Sequence, residues 1–308
     1  MTVAAAPPPT ERPALPPAAA GTLAGMGFVV LTALFFGAAP TFARLAFDGG
    51  TGTLTLQFAR FVFAAVGLWL LLAAIGRPVR IPRRRLGLLA LLVLLSGAAS
   101  YGYMTSVRHI PVPVASLVFF TFPLMVGPLA HLIGDERLTI RRVAALAVGF
   151  AGIALVLEGG IGHAEPLGLA LAFGAGTCVA VSFQVSRRLT TEIPAALLTA
   201  TVASACAVGC GLLLAMHGEI DLPATARGWI GVLGNAIGYT VGLSCLFEAI
   251  RRLGAVRTAI AGNLEPVVSV ALAAIVLNET LSGAQLAGGA VVLAGIALAQ
   301  QGRPRPAR

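Results

Sequence analysis

The chain has 308 residues, 57% of them hydrophobic and 11% charged, and a formal net charge of +9. A soluble domain carries about 25% charged residues, so the composition excludes a water-soluble fold and indicates an all-α integral membrane protein. All 21 basic residues are arginine, which rules out a Walker A lysine or a lysine Schiff base. The arginines fall in short segments between apolar runs, where they meet lipid headgroups and not nucleic acid.

Residues 1–23 are rich in Pro and Ala, without the basic start and apolar stretch of a signal peptide, and read as a disordered cytoplasmic tail. A spanning helix needs about 20 mostly apolar residues, because lipid offers the backbone no hydrogen-bond partner. Ten segments qualify: 24–43, 55–75, 86–106, 112–133, 142–158, 166–186, 195–216, 229–250, 255–277 and 283–300. With the N-terminus inside, the clusters Arg83-Arg84-Arg85, Arg141-Arg142, Arg187-Arg188 and Arg251-Arg252 are cytoplasmic, and only Arg44, Arg108 and Arg227 lie outside. The positive-inside rule therefore places both termini, including the basic tail 303–308, on the cytoplasmic side of the cell inner (plasma) membrane.

The second half repeats the first at an offset of 143 residues: Arg108 falls on Arg251, Pro123 on Pro266, Glu136 on Glu279, and the run Ala151-Gly152-Ile153-Ala154-Leu155 on Ala294-Gly295-Ile296-Ala297-Leu298. About a quarter of the aligned pairs from Tyr101 onward are identical. Five spans per unit, 24–160 and 161–302, oblige the second copy to insert upside down, the plan of many secondary transporters. Ser282 with Gln285, and Leu281 with Leu286, form a capping box and staple before the tenth span, with Thr139 at the equivalent position before the fifth. Glu136 and Glu279 then terminate helices.

Charge in hydrocarbon costs about 2.5–3.5 kcal/mol at a helix centre, so an intramembrane ion marks function by default. Glu265 lies about ten residues, roughly 15 Å, into the ninth span. Its repeat mate is Phe122, so the repeat itself requires no carboxylate there. Glu265 reads as a coupling carboxyl that exchanges a proton, or as one locked by donors freed beside Pro266. Arg60, early in the second span, either snorkels to the outer headgroups or turns inward toward an anion or Glu265. Glu248 pairs with Arg251 and Arg252 at helical spacing, and His131 reads as a helix-end donor.

Pro123 and Pro266 interrupt matching spans, and paired interruptions point toward a binding site. Gly234, Gly238 and Gly242 give the eighth span a smooth face. Cys178, Cys206, Cys210 and Cys245 read as apolar packing residues, so neither a metal nor another cofactor is expected. Ser100, Tyr101, Tyr103, Ser182, Gln184, Asn235, Tyr239 and Asn263 are the uncharged polar groups within spans.

The block Gly134-Asp135-Glu136-Arg137-Leu138-Thr139, its echo Leu277-Asn278-Glu279-Thr280-Leu281-Ser282, Leu264-Glu265-Pro266 and Phe58-Ala59-Arg60-Phe61 resemble the EamA-like branch of the drug/metabolite transporter superfamily. The resemblance covers residues 24–300 and departs from the family pattern where the second acidic turn reads Asn-Glu-Thr. It implies a secondary transporter, often an exporter of amino acids or other small metabolites, with a cavity between the halves. It also implies that Tyr101, Tyr103, Gln184, Asn235, Tyr239 and Asn263 lie on cavity-lining spans. The partners expected are a small-molecule cargo, the bilayer and protons; the oligomeric state stays open. An enzyme is disfavoured, since the predicted spans hold one histidine and no aspartate. A non-transporting sensor or scaffold and a facilitative channel remain the alternatives.

Overall fold

A computed structural model describes residues 17–76, 81–106, 109–110, 112–134, 139–156, 165–217, 220–277 and 282–300. Within them lie α1 (Pro17–Asp48), α2 (Thr53–Ala74), α3 (Leu86–Ser106), α4 (Val112–Phe119), α5 (Phe122–Leu132), α6 (Ile140–Val156), α7 (Pro166–Leu189), α8 (Ala195–His217), α9 (Ala226–Leu253), α10 (Ala255–Gly262), α11 (Leu264–Leu277) and α12 (Gly283–Gln300). A 3-10 turn, Arg83–Arg85, leads into α3, and no strand occurs among the described residues. Among the described residues, six helices are long and apolar enough to cross a membrane, namely those containing Leu23–Asp48, Thr53–Ala74, Arg83–Tyr103, Pro166–Leu189, Ala195–Met216 and Ala226–Leu253. Phe122–Leu132, Val143–Leu155 and Leu286–Leu298 are shorter apolar helices. The first helix starts at Pro17, inside the stretch expected to be a tail. Residues 1–16, Arg108, Glu136, Glu279 and the 303–308 tail lie outside the described residues.

The fourth and ninth expected spans differ from the sequence reading in one respect: each is two helices. α4 stops at Phe119 and α5 resumes at Phe122, while α10 stops at Gly262 and α11 resumes at Leu264. Proline explains both restarts. It lacks the N–H an interior position must donate, but in a first turn that N–H has no partner to lose, and Pro123 and Pro266 stand in the first turns of α5 and α11. At the 143-residue offset, Val112–Phe119 falls on Ala255–Gly262.

Helix packing follows the same offset. α1 packs along α9 and α3 along α7, pairs that exchange when each helix is replaced by its offset mate; α2 on α8 and α6 on α12 each map onto themselves. Small residues make the approach close, as expected where lipid leaves helix association to van der Waals packing. A Cβ on Gly231 of α9 would sit 2.6 Å from the Phe42 carbonyl oxygen and 2.9 Å from Ala46 Cα, and one on Gly295 of α12 would sit 2.9 Å from the Gly149 nitrogen. Gly254 joins α9 to α10 at φ 84°, a conformation that side chains resist.

Connections tie the first half of the chain to the second. Arg85 donates to Glu192 between α7 and α8, with Arg84 3.2 Å away. At the offset positions of that pair, Gly49 and Gly228 meet backbone to backbone, and the Gly49 carbonyl accepts from Ala224 N at 2.9 Å. His109 Nδ1 lies 2.8 Å from Glu165 Oε2.

Candidate functional site

The break between α4 and α5 creates its own chemistry. Pro123 supplies no N–H to the Phe119 carbonyl four residues earlier, and Gly176 of α7 packs there, where a Cβ would lie 2.8 Å from that oxygen. Thr121 Oγ1 donates to the Val118 carbonyl at 2.7 Å. Around the break, Phe119 packs edge-on to Phe120 (5.4 Å) and against Phe122 (5.7 Å), and Phe122 meets Phe183 of α7 (5.4 Å). Tyr103 closes the group: its ring lies 4.8 Å from Phe119 and its hydroxyl shares a 2.8 Å hydrogen bond with Ser116 of α4.

Arg60 turns inward and does not snorkel. Its guanidinium carbon lies 4.8 Å from the ring centroids of both Phe61 and Tyr239, and one terminal nitrogen donates to Ser100 Oγ at 3.2 Å. Ser100 also accepts from Gln57 Nε2 at 2.7 Å. Tyr239 packs edge-on to Phe61 at 5.0 Å and 6.5 Å from Phe36 of α1. Two cation–π contacts at about 0.5–2 kcal/mol each offset much of the 2.5–3.5 kcal/mol of inserting an arginine. They do not neutralise it: among the described residues no carboxylate pairs with Arg60, and its buried Nε has no partner.

Glu265 stands in the first turn of α11, where the helix dipole favours a carboxylate. It is half-buried. Its backbone approaches α1 closely: a Cβ on Gly37 would lie 3.0 Å from the Glu265 carbonyl oxygen. Glu265 makes no ion pair with Arg60.

The remaining expected residues have distinct placements. Tyr101 is 65% exposed, in helical register with exposed Leu94 and Leu91 and two residues from inward Tyr103. Gln184 is buried and donates to the Val126 carbonyl of α5 at 2.8 Å. Asn235 is buried and donates to the Ala39 carbonyl of α1 at 3.0 Å. Asn263 caps α10, with its amide nitrogen over Gly149 of α6. Pro123 and Pro266 are both buried. Glu248 accepts from Arg251 Nε at 2.8 Å and Arg252 Nε at 2.7 Å. Gln57, Phe36 and Ser116 were missed; the one sequence signal was Gln57 lying a helical turn before Arg60. A groove of about 540 Å³ between α3 and α8, lined by Leu86, Leu89, Val93, Leu94 and Thr201, shares no residue with these clusters.

The sequence pattern of the EamA-like transporter family matches the chain twice, over residues 23–158 and 166–300. A protein from Archaeoglobus fulgidus described as an uncharacterized transporter is 27% identical over 281 residues, covering 89% of this chain and 96% of that one. One from Streptantibioticus cattleyicolor, described as a probable terminal-alkyne amino-acid exporter, is 29% identical over 282 residues, covering 88% and 91%. A crystal structure aligns at TM-score 0.78 and 19% identity over 91% of this chain and 97% of that chain, a likeness of fold.

Proposed function

Because the chain belongs to the EamA-like transporter family, we propose that this multi-pass membrane protein is a secondary active transporter exporting a small amphipathic metabolite, an amino acid or a related compound, on the proton gradient. In this reading α4 with α5, and α10 with α11, each form one broken span. Ten spans then divide into two five-helix units, 24–160 and 161–302, the second inverted, in the inner membrane with both termini cytoplasmic. The observation that carries the reading is the pair of helix breaks at one sequence offset, at Phe120-Thr121 and at Asn263. Discontinuous helices at corresponding positions of two halves are where transporters hold cargo.

The chemistry is divided between two clusters. Arg60, Tyr239, Phe61 and Phe36 offer a cation framed by ring faces, and Tyr103 with the phenylalanines around Phe119 offers an apolar wall with one hydroxyl. Glu265, at the start of α11, is the group that takes up and releases a proton as access alternates. Gln184, Asn235 and Asn263 fasten the helices that carry these groups, and Tyr101 faces away. The relative described as an amino-acid exporter supports cargo of that class. Everted vesicles carrying the chain should accumulate a labelled member of an amino-acid panel, and an ionophore that dissipates the proton gradient should abolish accumulation. Accumulation unaffected by the ionophore refutes the coupling, and no accumulation of any member refutes the cargo class.

A further inference from the structure

We propose that Arg60 is the anion subsite of this protein, and that its cargo is a monocarboxylate with an apolar side chain whose carboxylate completes the unfilled half of the guanidinium. The inference deepens the transport reading and rests on it for the word cargo.

A cation inside a helical bundle needs a counter-charge or donates all its hydrogens to neutral acceptors. Arg60 does neither. Its described hydrogen bond goes to Ser100. The Nε atom is buried and unpartnered, and no carboxylate on any described element pairs with the guanidinium. The ring faces of Phe61 and Tyr239 orient the guanidinium without using its in-plane hydrogens. Those in-plane hydrogens form the fork that a carboxylate accepts bidentately.

The surroundings fix the charge of the visitor. The groups touching the guanidinium or its hydrogen-bond partner, namely Phe61, Tyr239, Ser100 and Gln57, are neutral. One guanidinium with neutral partners matches one negative charge; a phosphate ester would bring nearly two. Phe36, tilted against Tyr239 at 6.5 Å, and the adjoining Phe61 give an apolar surface beside the charge. An apolar tail on the visitor has that surface to lie on.

The test is equilibrium binding to the purified full-length chain in detergent, needing no gradient and no flux. Thermal unfolding followed by tryptophan fluorescence is recorded with leucine, phenylalanine and propargylglycine, each beside its primary amide and its decarboxylated amine. The acids should stabilise the chain at concentrations at least about tenfold below their amides or amines, because the amide forfeits the charge-assisted fork. Arg60→Lys keeps the charge without the fork and should weaken the acids about tenfold; Arg60→Gln should erase the preference for acid over amide. Amides that match their acids, an acid preference that survives Arg60→Gln, or a chain stabilised by none of the acids overturns the proposal. Arg60→Lys, the milder change, decides the matter if Arg60→Gln does not fold. Acid-selective binding without transport would refute the transport reading and leave the subsite standing, and transport without acid selectivity would do the reverse.

Discussion

Replacing Gly231 by alanine tests the helix pairing on which the site depends. The three atoms nearest a Cβ at that position all belong to the main chain of α1: the Ala46 nitrogen at 2.4 Å, the Phe42 carbonyl oxygen at 2.6 Å and Ala46 Cα at 2.9 Å. A main chain cannot rotate aside as a side chain can. To restore ordinary contact near 3.4 Å, α1 must move away by roughly 1 Å along part of its length, and overpacking of this kind costs about 1–3 kcal/mol. The control is Gly209→Ala in α8, where a Cβ meets nothing within 4 Å and alanine favours the helix by about 0.5–1 kcal/mol. The two substitutions add the same methyl group and should differ by about 1.5–4 kcal/mol, the sum of these opposed effects. Thermal unfolding in one detergent, or retention of monodisperse protein after graded heating, reads the difference. Equal stability of the two variants would show that α1 and α9 do not approach through Gly231.

Gly242→Ala perturbs the same interface differently, since its new methyl would press on the Phe36 ring at 2.5 Å, which can turn. It should lower stability less than Gly231→Ala while weakening cargo binding, because Phe36 lies against Tyr239; stability curves and the binding assay separate the two effects. On the proposed coupling role of Glu265, Glu265→Gln removes a titratable carboxyl and keeps the shape, so uptake by everted vesicles should lose its dependence on the pH gradient while downhill movement persists; an unchanged pH profile would assign the proton elsewhere. The hydrogen bond from Arg85, aided by Arg84, holds the Glu192 carboxyl below its ordinary value. A group lowered on folding contributes stability above its unfolded value and loses it as pH falls through the folded one. The connection between α7 and α8 should therefore loosen only in acid, and Glu192→Gln should abolish that acid response. Hydrogen exchange at residues 190–194, corrected for intrinsic pH dependence, checks it.

Much of the helical layout is legible in the sequence, because hydropathy and arginine placement are set by the bilayer and repeat at one offset. The expected span 86–106 and the helix Leu86–Ser106 coincide, and the Glu248 pairing with Arg251 and Arg252 follows from helical spacing alone. The glycine face of the eighth span also reads directly, although Gly231, with the tightest main-chain approach, escaped the four-residue rhythm. What the sequence hides is direction. Arg60 meets Ser100 of α3 and Tyr239 of α9, and no local pattern places those three together. Tyr101 and Tyr103, two residues apart on one helix, point to different surroundings, a difference hydropathy does not encode. Nor does any local pattern show that the amides of Gln184 and Asn235 donate to carbonyls of neighbouring helices.

Trans-acceleration in proteoliposomes is the most direct test of a carrier whose single interior site opens alternately to each side. Vesicles containing the purified chain are loaded with an unlabelled acid identified by the binding assay, and entry of the same labelled acid is timed without any gradient. A carrier returns faster loaded than empty, so interior acid should speed labelled entry. Entry at a rate indifferent to interior acid would describe a channel, and no entry at all would describe a protein that binds without carrying; either result contradicts the account.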